Sequence, residues 1–343
     1  MRPRLAIPLG TLEGVGPEVV SRALARLAAD GDDLADVVVL GPRGALEAVH
    51  ERLGPDTLDP GALRDGDIAL LQRPHPGPLL LDPAPHLRPW VPPAAPGFEP
   101  RTARLTLRVL EMAVRLALRR DVGAIVTAPL DKRAFAAAGL AFPGQTELLA
   151  ARAGVTDELM VLSGPRLTVG VLTTHIALAD VPRAVTAARI GQGLRRLARF
   201  ASVNTGNPRP RLAVAGLNPH LGDDGVAGDD DARVVRPAVE ALSAEGLDVT
   251  GPISGDAVFA LAAGGRFDAV LGLYHDQALI PVKLLDPDHT VNVTVGLPFV
   301  RTSPDHGTAY DKAWGREPPG AVRPDSTLAA IAMARRLASS SPT

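Results

Sequence analysis

The sequence predicts an α/β fold with a largely parallel sheet. Three observations carry that expectation. Short β-rich runs alternate with amphipathic helical patterns along the whole chain. The apolar runs have strand length and end in Gly, Pro or polar residues. The composition, 46% hydrophobic and 22% charged over 343 residues, is that of a globular protein with a real core. This length has room for two packed domains or one large α/β unit.

The elements follow in order. RLAIPLG reads as a first strand, and Gly16-Pro17 opens a helix through VVSRALARLAAD, with Pro at its first position. DVVVLG is a strand and RGALEAVHERLG a helix. Residues 54 to 98 are rich in Pro and Gly and read as loop, with one short strand at IALL. A helix from about Glu99 to Arg120 leads into the strand GAIVTA, and FPGQTELLAARAG, residues 142 to 154, opens an apolar helix. Further strands are ELMVLSG, LTVGVLTTH, RLAVAGLNPH and DAVLGLYHD; further helices are VPRAVTAARIGQGLRRLARF, DDARVVRPAVEALSAEG and the terminal DSTLAAIAMARRLAS. The polar stretch 202 to 211 reads as a surface connection.

Composition excludes several classes of function. A net charge of −2 gives no electrostatic reason to expect nucleic acid or an anionic membrane as partner. With no Cys, thiol catalysis, disulfides and thiolate metal sites drop out, so any metal must sit on His and carboxylates. No signal peptide is visible, and no run approaches the roughly 18 apolar residues of a membrane span. The expected location is the cytoplasm.

Three strand patterns end in histidine, at His175, His220 and His275. Ligands in open α/β sheets collect at the carboxyl ends of strands, so such residues can converge on one site. Three neutral imidazoles with an open position suit a divalent metal acting as Lewis acid, and Asp276 adjoins the third as a further ligand or an orienting group. The competing reading of any one strand-end His is a loop hydrogen bond. His50, His75, His86 and His289 lack the pattern and read as surface or loop residues, and His306 stands between site and structure.

Lys283, Asn292 and Arg301 crowd within 20 residues and supply the charge and amide donors that a phosphate needs. GTLEGVGPE, residues 10 to 18, is a Gly-rich turn at a helix N-terminus. It is neither the dinucleotide G-x-G-x-x-G nor a Walker loop. The acidic run after NPHLG, ending at Asp229, Asp230 and Asp231, reads mostly as capping for the next helix.

Taken together these motifs resemble the 4-hydroxythreonine-4-phosphate dehydrogenases, the PdxA family. The match runs nearly end to end: GTLEGVGPE, TAPLDKRAFAAAGLAFPGQTE, TTHIAL, GLNPHLGDDGVAGDDD, GPISGDAVF, YHDQALIPVK and VNVTVGLPFVRTSPDHGTA. The resemblance implies an isocitrate/isopropylmalate dehydrogenase-like fold, two α/β domains flanking an active-site cleft, here expected at residues 1–138 plus 305–343 and at 139–304. It implies a homodimer in which His175, His220 and His275 hold a divalent metal (Zn, Mg or Co), the third ligand coming from the partner subunit. Substrate contacts map onto Gln145, Thr146, Lys283, Asn292 and Arg301.

The implied reaction is NAD- or NADP-dependent oxidation of 4-phosphooxy-L-threonine at its C3 hydroxyl. Decarboxylation to 3-amino-2-oxopropyl phosphate follows, in pyridoxal phosphate biosynthesis. Asp256 and Asp276 are candidates for orienting ligands or moving protons, and His306 for cofactor contact. The alternatives are a relative acting on D-threonate or D-erythronate 4-phosphate, or a metal-dependent lyase or hydrolase without nicotinamide.

Two departures stand out. The family has GDPAGIGPE or GEPAGIGPE where this chain has GTLEGVGPE, so Thr11 replaces an acid and Glu13 appears two positions on. The family has GHTE where this chain has GQTE, so Gln145 can hydrogen-bond but cannot carry charge.

Overall fold

A computed structural model describes residues 2–316 and 321–340. Along the chain the elements begin with β1 (Leu5–Pro8), α1 (Gly16–Ala29), β2 (Val37–Leu40) and α2 (Arg43–Leu53). Then come β3 (Arg64–Asp65), β4 (Leu79–Leu81), α3 (Pro100–Leu118), β5 (Ala124–Val126), α4 (Arg133–Ala137) and α5 (Gln145–Ala153). The middle of the chain holds β6 (Leu159–Ser163), β7 (Thr168–Val171), α6 (Val181–Ala184), α7 (Ala187–Thr205), β8 (Leu212–Ala215) and α8 (Arg236–Ala244). It continues through β9 (Val249–Ile253), α9 (Gly255–Ala263), β10 (Ala269–Gly272), α10 (His275–Leu285) and β11 (Val291–Val295). The last elements are β12 (Val300–Pro304) and α11 (Asp325–Ser340).

Two compact units result, one of residues 1–156 and 297–343, the other of residues 157–296. The sequence placed these divisions near 138/139 and 304/305. The difference has a packing cause. Leu148 and Leu149 of α5 and Phe299 beside β12 are buried in the same apolar cluster as Leu107, Leu110 and Val114 of α3. In addition, β12 pairs in parallel with β5. Burying such side chains is worth roughly 1.5–3 kcal/mol each, which fixes α5 and β12 to the first unit.

The first unit is wholly parallel, with strand order β3-β4-β2-β1-β5-β12. Its β1, β2 and β5 are buried at every position, as strands covered on both faces must be. The order reverses between β1 and β5, which makes the carboxyl ends of these strands the expected crevice. In the second unit the order is β11-β6-β7-β10-β8-β9. There β6 runs antiparallel to both its neighbours, and β7, β10, β8 and β9 are parallel. No helix among the described residues is long and apolar enough to cross a membrane.

Several expectations need correction. IALL is a 3-10 turn at Ile68–Gln72, because the Asp67 carboxylate accepts from the Leu70 amide and winds the chain. Residues 202–205 belong to α7, which ends only at Gly206 in the left-handed conformation. The short strands β3, β4, β9, β11 and β12 were not read from their residues at all. His75 lies in a loop, as expected, but is buried there, paired with Arg4 and with the Gly77 carbonyl at 3.0 Å.

Candidate active-site residues in the two units

In the second unit the three histidines leave neighbouring strands. His175 follows β7, His275 follows β10 and His220 follows β8. Because β7, β10 and β8 are adjacent and parallel, all three exit at one edge of that sheet. The rings of His175 and His275 are neighbours, with centroids 5.7 Å apart and planes tilted by 43°. Among the described residues no group of three or more His, Asp or Glu is placed to hold a metal. One chain therefore offers a neighbouring pair of imidazoles, with His220 on a separate loop.

That loop is tightly built. His220 and Leu221 adopt positive φ (49° and 62°), as do Asp223 and Asp224, a backbone region costly for residues with a Cβ. A Cβ at Gly222 would lie 2.0 Å from the Gly228 carbonyl oxygen, so only glycine fits there. Asp231 holds the loop from beneath. Fully buried, its two oxygens accept the amides of Leu217 at 2.7 Å and Asn218 at 2.8 Å. Asp231 stands in the first turn of the following helix, as expected of the end of the acidic run, and its carboxylate in addition ties down the loop backbone.

Two further residues lock the strand ends together. Buried Thr173 donates its hydroxyl to the Leu273 carbonyl at 2.6 Å, joining the exits of β7 and β10. Gln277 accepts the Leu273 amide and donates to the Gly216 carbonyl, each at 2.7 Å, joining β10 to β8. The sequence analysis passed over Thr173 and Gln277 and did not foresee the loop contacts of Asp231. The available signal was their position within two residues of a strand-end His or inside the Asp run.

Asp276 Oδ1 accepts from His275 Nδ1 at 2.7 Å, an arrangement that fixes which imidazole nitrogen faces outward. Asp256 lies exposed in the first turn of α9. The Ser254 hydroxyl at 2.5 Å chiefly holds its carboxyl below the ordinary range, and the nearby His220 adds to this. Lys283 is exposed on the last turn of α10. Asn292 on β11 is half-buried, and its Oδ1 is enclosed without a hydrogen-bond partner among the described residues.

The first unit holds the remaining predicted contacts. Arg301 on β12 is 3% exposed. It donates to the hydroxyls of Thr127 at 2.9 Å and Thr146 at 3.5 Å. Burial lowers its pKa to about 10, and Glu147 is the carboxylate that favours its charge. Gln145 and Thr146 open α5, and Gln145 Nε2 donates to the Ala128 carbonyl at 3.2 Å. Gly144 caps α5 without a side-chain hydrogen bond, leaving helix N-terminal amides beside a buried guanidinium, a pairing suited to an anion. Thr127 was missed, since a Thr ending a strand carries no signal of its own. The expected trio is divided: Lys283 and Asn292 belong to the second unit and Arg301 to the first.

His306 is exposed, its Nδ1 near the Gly307 carbonyl at 3.2 Å. Its loop docks on the Gly-rich loop after β1, where the Val15 amide donates to the Thr308 carbonyl at 2.9 Å. Thr11 accepts the Asp131 amide through its hydroxyl at 2.8 Å and so joins the loops after β1 and β5.

The first unit thus sets a buried guanidinium beside helix N-terminal amides near its strand ends, and the second sets a pair of histidines at neighbouring strand exits, an arrangement found in α/β enzymes that bind their ligands there. Comparison with known proteins narrows the class. Residues 86–334 match the family described as Pyridoxal phosphate biosynthetic protein PdxA. A 4-hydroxythreonine-4-phosphate dehydrogenase of Erythrobacter litoralis is 41% identical over 334 residues, covering 96% of this chain and 95% of that one. A D-threonate 4-phosphate dehydrogenase of Salmonella typhimurium is 39% identical, covering 97% and 98%. The crystal structure of a 4-hydroxythreonine-4-phosphate dehydrogenase from Klebsiella pneumoniae superposes with a TM-score of 0.83 at 38% identity, covering 98% of each chain. The chain belongs to the PdxA family.

Proposed function

We propose that the protein oxidises 4-phosphooxy-L-threonine at its C3 hydroxyl with NAD+ or NADP+, and that the product loses carbon dioxide to give 3-amino-2-oxopropyl phosphate. The observation that carries this reading is the exit of His175, His220 and His275 from three adjacent parallel strands, with the rings of His175 and His275 centred 5.7 Å apart. Imidazole donors beside carboxylates suit a divalent ion such as Zn, Co or Mg. When bound, such an ion would polarise the C3 hydroxyl and neutralise the negative charge left as carbon dioxide departs.

The side chains have separate tasks. Arg301, with the Thr127 and Thr146 hydroxyls and the amides opening α5, holds the phosphate; Gln145 adds a neutral donor. Lys283 and Asn292 take the polar end of the substrate, and the enclosed Asn292 Oδ1 is an acceptor awaiting an N–H or O–H. Asp276 orients His275, and Asp256 accepts the hydroxyl proton as hydride leaves C3 for the nicotinamide. His306 contacts the cofactor from the loop after β12.

In this reading a second copy of the chain completes the metal site by supplying the third of the three histidines, His275. Exposed apolar side chains flank each histidine and support this dimer. Ile176 (44% exposed) adjoins His175, Val226 (90%) closes the His220 loop, and Ile280 (64%) and Leu284 (80%) line α10, which starts at His275.

A second reading, oxidation of D-threonate 4-phosphate or D-erythronate 4-phosphate, is favoured by Gln145 and by the Salmonella relative. The test supplies each acid phosphate to the purified protein with NAD+ or NADP+ and Zn, Co or Mg, and follows nicotinamide reduction. The leading reading expects the highest kcat/KM with 4-phosphooxy-L-threonine. A higher value with either threonate or erythronate phosphate replaces it with the second reading. No reduction with any of them refutes both.

A further inference from the structure

One feature of the Gly-rich loop takes no part in the reaction above. Glu13, where the family has Ala, is 1% exposed. Its Oε1 accepts the Thr102 hydroxyl at 2.6 Å, and its Oε2 is enclosed with no hydrogen-bond partner among the described residues. A buried carboxylate oxygen left unmatched costs on the order of 1–3 kcal/mol, so a missing partner is the physical expectation.

The surroundings say what that partner is. Glu13 lines a cavity of about 900 Å3 within the first unit, between the loop after β4 and the first turns of α3. Because β1, β2 and β4 are parallel, this cavity lies at the carboxyl ends of their strands, where α/β units take their ligands. Its apolar wall is formed by Trp90, Leu87, Leu105 and prolines of the loop. The Trp90 indole Nε1 is likewise enclosed without a hydrogen-bond partner among the described residues. Arg101, Arg104 and Arg108 also line the cavity, at spacings of three and four residues that put them on one exposed face of α3. Arg101 is paired with Glu99 at 3.5 Å.

We infer that this cavity binds an adenine nucleotide, with the edge of the base on the Trp90 indole N–H and on Glu13 Oε2, and its phosphate on the arginine face of α3. An aminated purine edge offers one N–H donor beside one ring acceptor, which answers one open carboxylate oxygen and one indole N–H. Guanine presents two adjacent donors and would need both oxygens of Glu13, but Thr102 already holds one. The nucleotide can be the adenosine half of the dinucleotide cofactor or a free adenine nucleotide. In either case the site is independent of which acid phosphate is oxidised.

The test is calorimetric titration of the intact protein with AMP, GMP, NAD+ and adenosine. AMP should bind at least tenfold tighter than GMP, and Glu13→Ala should weaken AMP about tenfold or more. The double variant Arg104→Glu, Arg108→Glu should weaken AMP but leave adenosine unchanged. Trp90→Phe, which keeps the wall but loses the N–H, should weaken AMP several-fold; circular-dichroism melts confirm that each variant is folded. Competition between NAD+ and AMP identifies the dinucleotide as the source, and additive binding identifies a free nucleotide; both retain the site. Absence of binding by both AMP and NAD+, equal affinity for AMP and GMP, or unchanged affinity in folded Glu13→Ala overturns it.

Discussion

At the scale of single residues, the buried charges carry the sharpest consequences. Arg301 is a guanidinium held among two threonine hydroxyls and Glu147 rather than on the surface. Replacing it with Ala should raise KM for a phosphorylated substrate by about 10- to 100-fold, as expected for a hydrogen-bonded charge contact of roughly 1.5–3 kcal/mol. The dephosphorylated analogue should be affected much less, and equal effects on the two would remove Arg301 from the phosphate site. Gln145→His tests the family departure. An imidazole beside phosphate has its pKa raised, so any gain in phosphate affinity should be present at low pH and disappear as pH rises through that value. The measurement is KM against pH for variant and parent. Glu13 gives a stability prediction of its own. Burial raises its carboxyl above the ordinary 4.5. The folded chain therefore retains a proton that the unfolded chain releases, and stability falls as pH rises from that point through the raised value. Glu13→Gln removes this titration, so thermal melts should show a Tm gain over the parent at neutral pH that vanishes below about pH 4.

Elements place these residues, and some of their contributions were legible beforehand. The 3.6-residue spacing of α3, the Pro start of α1 and the apolar β1, β2, β5, β7, β8 and β10 were readable because local periodicity and burial agree there. Strands β11 and β12 were not, since VNVTV and VRTSP carry polar residues whose burial depends on distant partners. The loop between β8 and α8 shows the same limit: Asp231 opens the following helix as its position in the acidic run suggested, but its hold on two loop amides could not be read from the run. Asp231→Ala should destabilise the protein by about 2–4 kcal/mol, because two buried amides lose a charged acceptor. Urea denaturation gives the stability, and metal titration should show weaker binding if the His220 loop loosens with it.

For the whole molecule, the association of two copies is the consequence to test. The exposed Ile280 and Leu284 lie one turn apart on α10. Changing both to Asp should convert a dimer to monomers in sedimentation, since an apolar interface patch will not accept two desolvated carboxylates. Turnover should fall at least 100-fold while the fold persists. A variant that remains dimeric would show that α10 lies outside the interface.

The sequence by itself determined the α/β class, the three strand-end histidines and the family, because strand length, residue type and long motifs are properties of contiguous residues. Tertiary structure decided which residues work together. It put Gln145, Thr146 and Arg301 with the unmarked Thr127 in one unit, and left Lys283 and Asn292 in the other. It paired His175 with His275 across neighbouring strands and enclosed Glu13 with an oxygen unmatched. The physical reason is common to all of these. Burial and hydrogen-bond partnership arise from strand order and packing between residues distant in the chain, and no local pattern encodes them.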